Sequence, residues 1–407
     1  MHYIRLLRPP KLSSSQRQMQ AEIVFTVTTD LGDSFLSPLV PLDLFVTASI
    51  RSSTRDLSAV SRPAQVGKLQ WASGQRVAKP ICELPLAMAK AITSGDMVDL
   101  GIGTAPIFSA EGVERILSST STTTSTSEAA GHCGLVMPVR ATLNGPDVDD
   151  DVSSRKIRLH AASQAPEYLE IEEEIGESIA RHIWDAGVVA LSAIVGTYTL
   201  PDMACSQHAC MKALRRILDS GEPINILEIG CGVGILGTGL CAIYPPGTRG
   251  CTILMTDLDE AEGRARSNIA LLKHNQSVSR LGQAHLLYEN LDWEHARHGR
   301  FGRQVQRRRW DLVVLSDCTY NVDMLPALVE TLSALHASNV RRDDGFVTRV
   351  FLATKPRHES EKALFDLLAG DGWETLQTQI LPLPVLGKET ESVEMYLFEK
   401  ASCPIRK

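Results

Sequence analysis

Leu227-Glu228-Ile229-Gly230-Cys231-Gly232-Val233-Gly234 is the stretch on which the reading of this 407-residue chain turns. The apolar run INILEI, Ile224 to Ile229, is short and bounded by Pro223 and Gly230, which predicts a strand buried on both faces of a parallel sheet. It runs straight into three alternating glycines and then a helix expected from Ile235 to Tyr244, stopped by Pro245-Pro246. Glycine lets the backbone approach a ligand where a Cβ would clash. Ligands of open α/β sheets bind at the carboxyl ends of the strands. The bland reading of the same glycines is a tight strand-to-helix turn with no ligand.

Working outward, the pattern repeats. Strands are expected at Cys251–Thr256, Ala284–Tyr288, Trp310–Leu315 and Val347–Ala353, with helices at Asp259–His274, Val322–Ala337 and Glu359–Ala369 between and after them. Thr378–Leu383 and Ser392–Phe398 close the chain as two further strands. Upstream, Lys156–His160 alternates like a strand, Glu170–Arg181 reads as a charged helix and Ala186–Ile194 as an apolar one. Strands alternating with helices predict a doubly wound, Rossmann-like α/β domain with a seven-stranded sheet, an antiparallel edge hairpin at its C-terminal end, and an N-terminal extension.

Asp257 ends the second of these strands, where a carboxylate accepts hydrogen bonds from ribose hydroxyls. That role serves nicotinamide and S-adenosylmethionine enzymes alike, so these residues point to an adenosyl ligand without choosing one. Gly232 to Gly237 even matches the dinucleotide pattern GxGxxG, but it begins one step after the turn glycine Gly230. Three further segments bear on the choice: Trp184-Asp185-Ala186-Gly187, Leu291-Asp292-Trp293, and Ser316-Asp317-Cys318-Thr319-Tyr320.

With these three, the glycine loop and Asp257 all in order along the chain, the sequence from about Lys156 to Lys400 resembles the seven-β-strand methyltransferases of family 16, which include many eukaryotic protein lysine methyltransferases. The resemblance implies S-adenosyl-L-methionine as cofactor. It implies that Gly230, Gly232 and Gly234, with the preceding Glu228, form the loop around its methionine and ribose part, and that Asp257 holds the ribose. Trp293 would flank the adenine with Asp292 near its amino group, and Trp184 and Ser316 would contact the reacting end. Asp317 and Tyr320 would be catalytic, facing the acceptor nitrogen. A lysine acceptor must lose its proton before it has a lone pair, and a carboxylate and a phenol can orient the amine and stabilise the charge that develops on it. A methyltransferase for a small molecule or another side chain, an NAD(P)-dependent oxidoreductase, and a binding module without turnover stay open as alternatives.

Hydrophobic residues make up 43% of the chain and charged residues 22%, as in globular domains. A net charge of −7 excludes a general phosphate binder, and an aromatic content of 5% argues against a surface devoted to stacking on nucleic acid. Nine irregularly spaced cysteines suggest a reducing compartment, so a cytoplasmic or nuclear protein is expected, monomeric, with a protein substrate and no membrane partner. Cys205 to Cys210 brings two thiols and His208 together but lacks a second ligand pair, so no metal site is expected.

Three regions are expected: an N-terminal extension over 1–118, a low-complexity and acidic segment over 119–154 that is flexible or inserted and could hold one strand within GHCGLVMPVRATLNGP (131–146), and the methyltransferase domain over 155–407. In the extension, Ile23–Thr29 reads as a strand ending in the turn Asp30-Leu31-Gly32-Asp33, and no catalytic constellation is visible. The basic stretch His295–Arg309 reads as a solvated loop, or more sharply as a patch for an acidic partner or a nuclear import signal.

Overall fold

The computed structural model describes residues 1–15, 18–51, 62–120, 134–144, 151–160, 167–176, 179–244, 250–274, 284–386 and 391–401. In the C-terminal half, helix α1 (Asp185–Thr199) precedes β1 (Ile224–Ile229) and α2 (Ile235–Ile243). Then come β2 (Cys251–Asp257), α3 (Asp259–His274), β3 (Ala284–Asn290) and β4 (Leu312–Ser316). The chain continues through α4 (Leu325–Arg342), β5 (Thr348–Thr354), α5 (Ala363–Gly370), β6 (Glu374–Pro382) and β7 (Ser392–Lys400).

The seven strands form one sheet in the order β3-β2-β1-β4-β5-β7-β6. The first five are parallel, and β7 runs antiparallel to both β5 and β6. The expected doubly wound sheet with an antiparallel edge hairpin is therefore the observed one. Chain order reverses between β1 and β4, which makes their carboxyl ends the switch point where such sheets bind ligands.

Strand alternation sends successive side chains to opposite faces. Ile226, Ile253, Leu312, Val314 and Phe351 pack on the side of α1, α2 and α3. Leu227, Ile229, Leu254, Val313 and Leu315 pack under α4 and α5. Helix α1 is buried from Asp185 to Thr197 on every side, because a second layer of protein covers its outer face.

That layer comes from the N-terminal half. Six antiparallel strands run in the order Tyr168–Glu174, Val152–Arg158, Val139–Thr142, Met97–Thr104, Leu42–Arg51, Ala64–Trp71. A smaller sheet joins Phe25–Thr29, His2–Leu6 and Val136–Met137. The expected strand before Asp30 is thus present, and its turn closes through the Thr29 N–H on the Ser34 carbonyl.

Two expectations need correction. The segment 119–154, read as flexible or inserted with room for one strand, contributes Val136–Met137, Val139–Thr142 and the start of Val152–Arg158 to these sheets, while 121–133 and 145–150 lie outside the described residues. The strands Val152–Arg158 and Tyr168–Glu174 extend the N-terminal sheet, so the seven-stranded unit proper begins after them rather than at residue 155. The second correction concerns Glu170–Arg181, which is not a helix: Tyr168–Glu174 is a strand, with a short 3-10 turn at Ile179–Arg181. Leu169, Ile171 and Glu173 point inward with period two. The glutamate content hid that alternation, because Glu173 is itself an inward residue, paired with the buried Arg155.

The N-terminal sheet is keyed to the catalytic one by Asn268 on α3, which is fully buried. Its Oδ1 accepts the Glu172 N–H at 2.8 Å, and its Nδ2 donates to the carbonyls of Glu172 and Val233, each at 2.9 Å. Asn268→Ala leaves those three backbone groups unsatisfied, an expected loss of about 2–4 kcal/mol of stability. Urea denaturation checks it: the midpoint should fall with the slope unchanged.

Candidate cofactor and acceptor site

A cleft opens along the carboxyl ends of β1 to β4. Its floor is the loop Gly230–Val233, and its walls are Asp257 and Leu258 at the end of β2, Asp292 and Trp293 after β3, and Ser316, Asp317, Cys318 and Tyr320 at the end of β4. Trp184, the residue capping α1, and Gly187 in the first turn complete it.

The sequence requires glycine in this floor. Gly230 has φ of +65°, and a Cβ there would meet Cys318 Sγ at 2.5 Å and Trp293 Cζ2 at 3.7 Å. The Gly232 N–H donates to Asp257 Oδ2 at 2.7 Å, and the Leu258 N–H donates to Oδ1 at 2.7 Å. Burial raises the Asp257 pKa above the usual carboxylate value, and those two amide donors temper the rise. A carboxylate offers about four lone-pair sites, so capacity for two hydroxyls is left. Asp292 has a local task as well: it caps the short helix Trp293–Ala296 by accepting the Glu294 N–H at 2.9 Å.

Two residues assigned to the cofactor stand behind the cleft instead of lining it. Gly234 (φ +83°) abuts Met255, where a Cβ would fall 2.0 Å from the methyl carbon. Glu228 is 1% exposed and lies beneath the loop, its Oε2 2.4 Å from where a Cβ on Gly237 would stand. Neither oxygen makes a complete hydrogen bond with a described group, although the Gly237 N–H lies toward it. Burial pushes this carboxyl up to about 8.

The reading of Asp317 also changes. The structure brings it and Tyr320 to the same cleft, but the carboxylate is engaged on its protein side. Oδ2 accepts the Ala186 N–H at 2.7 Å, and Oδ1 accepts the Lys355 N–H at 3.2 Å and an Arg357 N–H at 3.0 Å. Among the described residues Asp317 is the one non-glycine with positive φ, +52°, a strained backbone for such a residue. Burial raises its pKa, and Arg357 counters the rise. These contacts tie the end of β4 to the start of α1 and to the end of β5. Tyr320, 56% exposed, stands at the mouth, and partial burial raises its phenol pKa.

Sequence reasoning missed what lies behind Asp317. Arg357 passes over the Trp184 ring at 5.2 Å from its centroid and pairs with both Asp317 and Asp30. Lys355 pairs with Asp30 and Asp185 at 3.0 Å each and with Glu391 at 2.8 Å. Asp185 also takes the Tyr3 hydroxyl at 2.8 Å and lies 2.9 Å from the Met1 nitrogen. Lys355 and Arg357 sit just past the carboxyl end of β5, a place that could have flagged them; Asp30 stands in a turn and Asp185 in a motif that the sequence does mark, but nothing local shows that they meet these two cations. His182, Cys231 and Cys318 also line the cleft unforeseen.

A glycine floor, a ribose-type carboxylate with spare acceptor capacity and an aromatic wall suit an adenosyl sulfonium. The fold and this cleft are those of an S-adenosylmethionine-dependent methyltransferase, with S-adenosyl-L-methionine as cofactor. The chain belongs to the family described as lysine methyltransferase, whose model matches residues 163–371, just over half of the chain. It is 28% identical over 228 residues to a UPF0665 family protein of Schizosaccharomyces pombe. The alignment covers 56% of this chain and 55% of that protein, so the chain spans about half the length of this curated relative.

Among solved structures it is similar to a SAM-dependent methyltransferase of Methanosarcina mazei (13% identity, TM-score 0.32, 44% of this chain and 93% of that one). It is also similar to TYW2 of P. horikoshii in complex with MeSAdo (12% identity, TM-score 0.31, 65% and 75%). A third is TrmK of M. capricolum in complex with S-adenosyl-homocysteine (9% identity, TM-score 0.28, 48% and 71%).

Two measurements follow from the two acids of the loop. Asp257→Ala should weaken S-adenosylhomocysteine binding by about 2–4 kcal/mol in calorimetry while the fold survives; unchanged affinity would remove Asp257 from the ribose site. For Glu228 the folded pKa of about 8 stands above the ordinary 4.5, so the folded protein keeps a proton that the unfolded chain releases. Stability then falls as pH rises from about 4.5 to 8 and levels off above. Relative to the wild type, Glu228→Gln should gain about 2–4 kcal/mol between pH 5 and pH 8 in denaturation midpoints, at about 1.4 kcal/mol per pH unit with incomplete transfer.

Proposed function

We propose that this protein is a protein-lysine N-methyltransferase acting on a cytosolic or nuclear protein, and that it works as a monomer. The observation that carries this reading is Tyr320, whose half-exposed phenol stands at the open mouth of the cleft beside Asp317, where an extended side chain from another protein can reach. The family description supports it.

When bound, the cofactor supplies an electrophilic methyl group on a sulfonium. The protein's own part is chiefly placement, since in-line displacement needs aligned partners more than covalent help. Gly230 and Gly232 leave room for the cofactor's approach, Asp257 holds the ribose and Trp293 flanks the adenine. Trp184 and Ser316 border the reacting end. The Tyr320 phenol, with its raised pKa, stays protonated at neutral pH. Its oxygen accepts an N–H of the incoming amine, which aims the nitrogen lone pair inward, and offsets the positive charge that grows as nitrogen is alkylated. Asp317 acts one step back, holding the β4 end and the first turn of α1 in register.

Labelled S-adenosylmethionine with cell lysate tests the reading: label should appear on lysine of one or a few proteins, and label confined to small molecules or to other side chains would overturn it. On the substrate so found, Tyr320→Phe should lower kcat by about tenfold to a hundredfold, the low end for such groups, and leave S-adenosylhomocysteine affinity within about twofold.

A further inference from the structure

The turn after Phe25–Thr29 carries one side chain that reaches the other half of the molecule. Asp30 is fully buried as a side chain. Its Oδ1 accepts Lys355 Nζ at 3.0 Å, and its Oδ2 accepts Arg357 at 2.7 Å and the Asp185 N–H at 3.2 Å. The turn itself is held, since Arg5 donates to the Asp30 carbonyl at 2.5 Å and the Leu31 N–H returns to Oδ1 at 3.0 Å. Arg357 is consequently gripped at both ends of its fork, one nitrogen on Asp30 and the other on Asp317, with its face over Trp184. Trp184 and Asp317 both line the cleft, and the Asp185 N–H belongs to the first turn of α1, next to Gly187 of the cleft wall.

We propose that Asp30, supplied by the N-terminal domain, is a positioning residue of the methyl-transfer site: it sets Arg357, and through Arg357 the Trp184 ring and the Asp317 carboxylate. The N-terminal domain then completes the cofactor cleft instead of merely standing beside it. The inference rests on the cleft being the cofactor site and not on lysine as the acceptor. Geometry distinguishes this role from simple domain adhesion. Adhesion needs only opposite charges in contact, whereas a planar fork held by two carboxylates has one orientation. An asparagine at position 30 keeps the shape but turns one acceptor into a donor, which must then face Lys355, Arg357 or the Asp185 N–H, all donors.

The test uses the full chain carrying Asp30→Asn, Arg357→Lys, or both, with folding checked by circular dichroism and S-adenosylhomocysteine binding measured by calorimetry well below the melting temperature. Arg357→Lys keeps the charge but cannot span both carboxylates. Each variant should weaken binding about tenfold, the value of one charge-assisted hydrogen bond. The double variant should be no weaker than the weaker single, because both break one linkage. A folded Asp30→Asn protein with wild-type affinity and only a lower melting temperature overturns the proposal, as do strictly multiplicative effects in the double variant. If Asp30→Asn does not fold, Arg357→Lys decides alone: tenfold weaker binding supports the linkage, and unchanged affinity overturns it. None of these outcomes depends on the methyl acceptor, so failure to find a lysine substrate is a separate result.

Discussion

Three buried carboxylates, Asp30, Asp185 and Asp317, share the two cations Lys355 and Arg357, and the position of the cofactor cleft depends on that junction. Burial alone would push the Asp30 pKa up; the two cations more than offset it and hold it below the usual carboxylate range. Burial likewise disfavours charge on Lys355, and Asp185 and Asp30 reverse that, raising its pKa. Removing one partner from such a cluster leaves a desolvated charge unpaired, at a cost of about 3–5 kcal/mol. The junction joins β4, β5, α1 and the first strands of the N-terminal half at one point. Apolar packing finishes the union: Met1, Tyr3, Ile116, Leu117 and Met137 belong to the same core as α1 and β1.

The cleft shows how environment divides labour between like groups. Asp257 and Glu228 flank one glycine loop from adjacent strands, and burial raises both. Asp257 meets two amide donors and faces the cleft, which suits it to a polar ligand. Glu228 lies under the loop without a complete hydrogen bond to a described group, and burial favours its protonated form. Asp317 and Tyr320 divide in the same manner, one facing into the protein and the other outward.

The seven-stranded sheet was legible because each buried parallel strand is a short apolar run ending at a turn, a signal contained within a few residues. Asp259–His274 reads as a helix from its charge and periodicity alone, and the structure agrees to the residue. Of the cleft residues, Gly230, Gly232 and Asp257 follow from the same local grammar at strand ends, whereas Trp293 and Ser316 come from the resemblance to the family. What stayed hidden is non-local. The N-terminal sheet pairs strands such as Leu42–Arg51 with Met97–Thr104, and no single segment announces its partner. Tyr168–Glu174 carries glutamates on both faces, and the inward one is tolerable only because Arg155 arrives from the neighbouring strand. The orientation of Asp317 depends on donors at 186, 355 and 357, none near it in sequence. Residues were thus readable where the backbone decides their place, and unreadable where a distant charge does.

A crystal structure of the full chain with S-adenosylhomocysteine tests the central claim most directly. The account expects the ribose on Asp257, the adenine beside Trp293, and the thioether sulfur toward Ser316 and Tyr320, with the Arg357 fork still bridging Asp30 and Asp317. A product seated elsewhere, or seated here with Asp317 released from Arg357 and turned to the ligand, would contradict it.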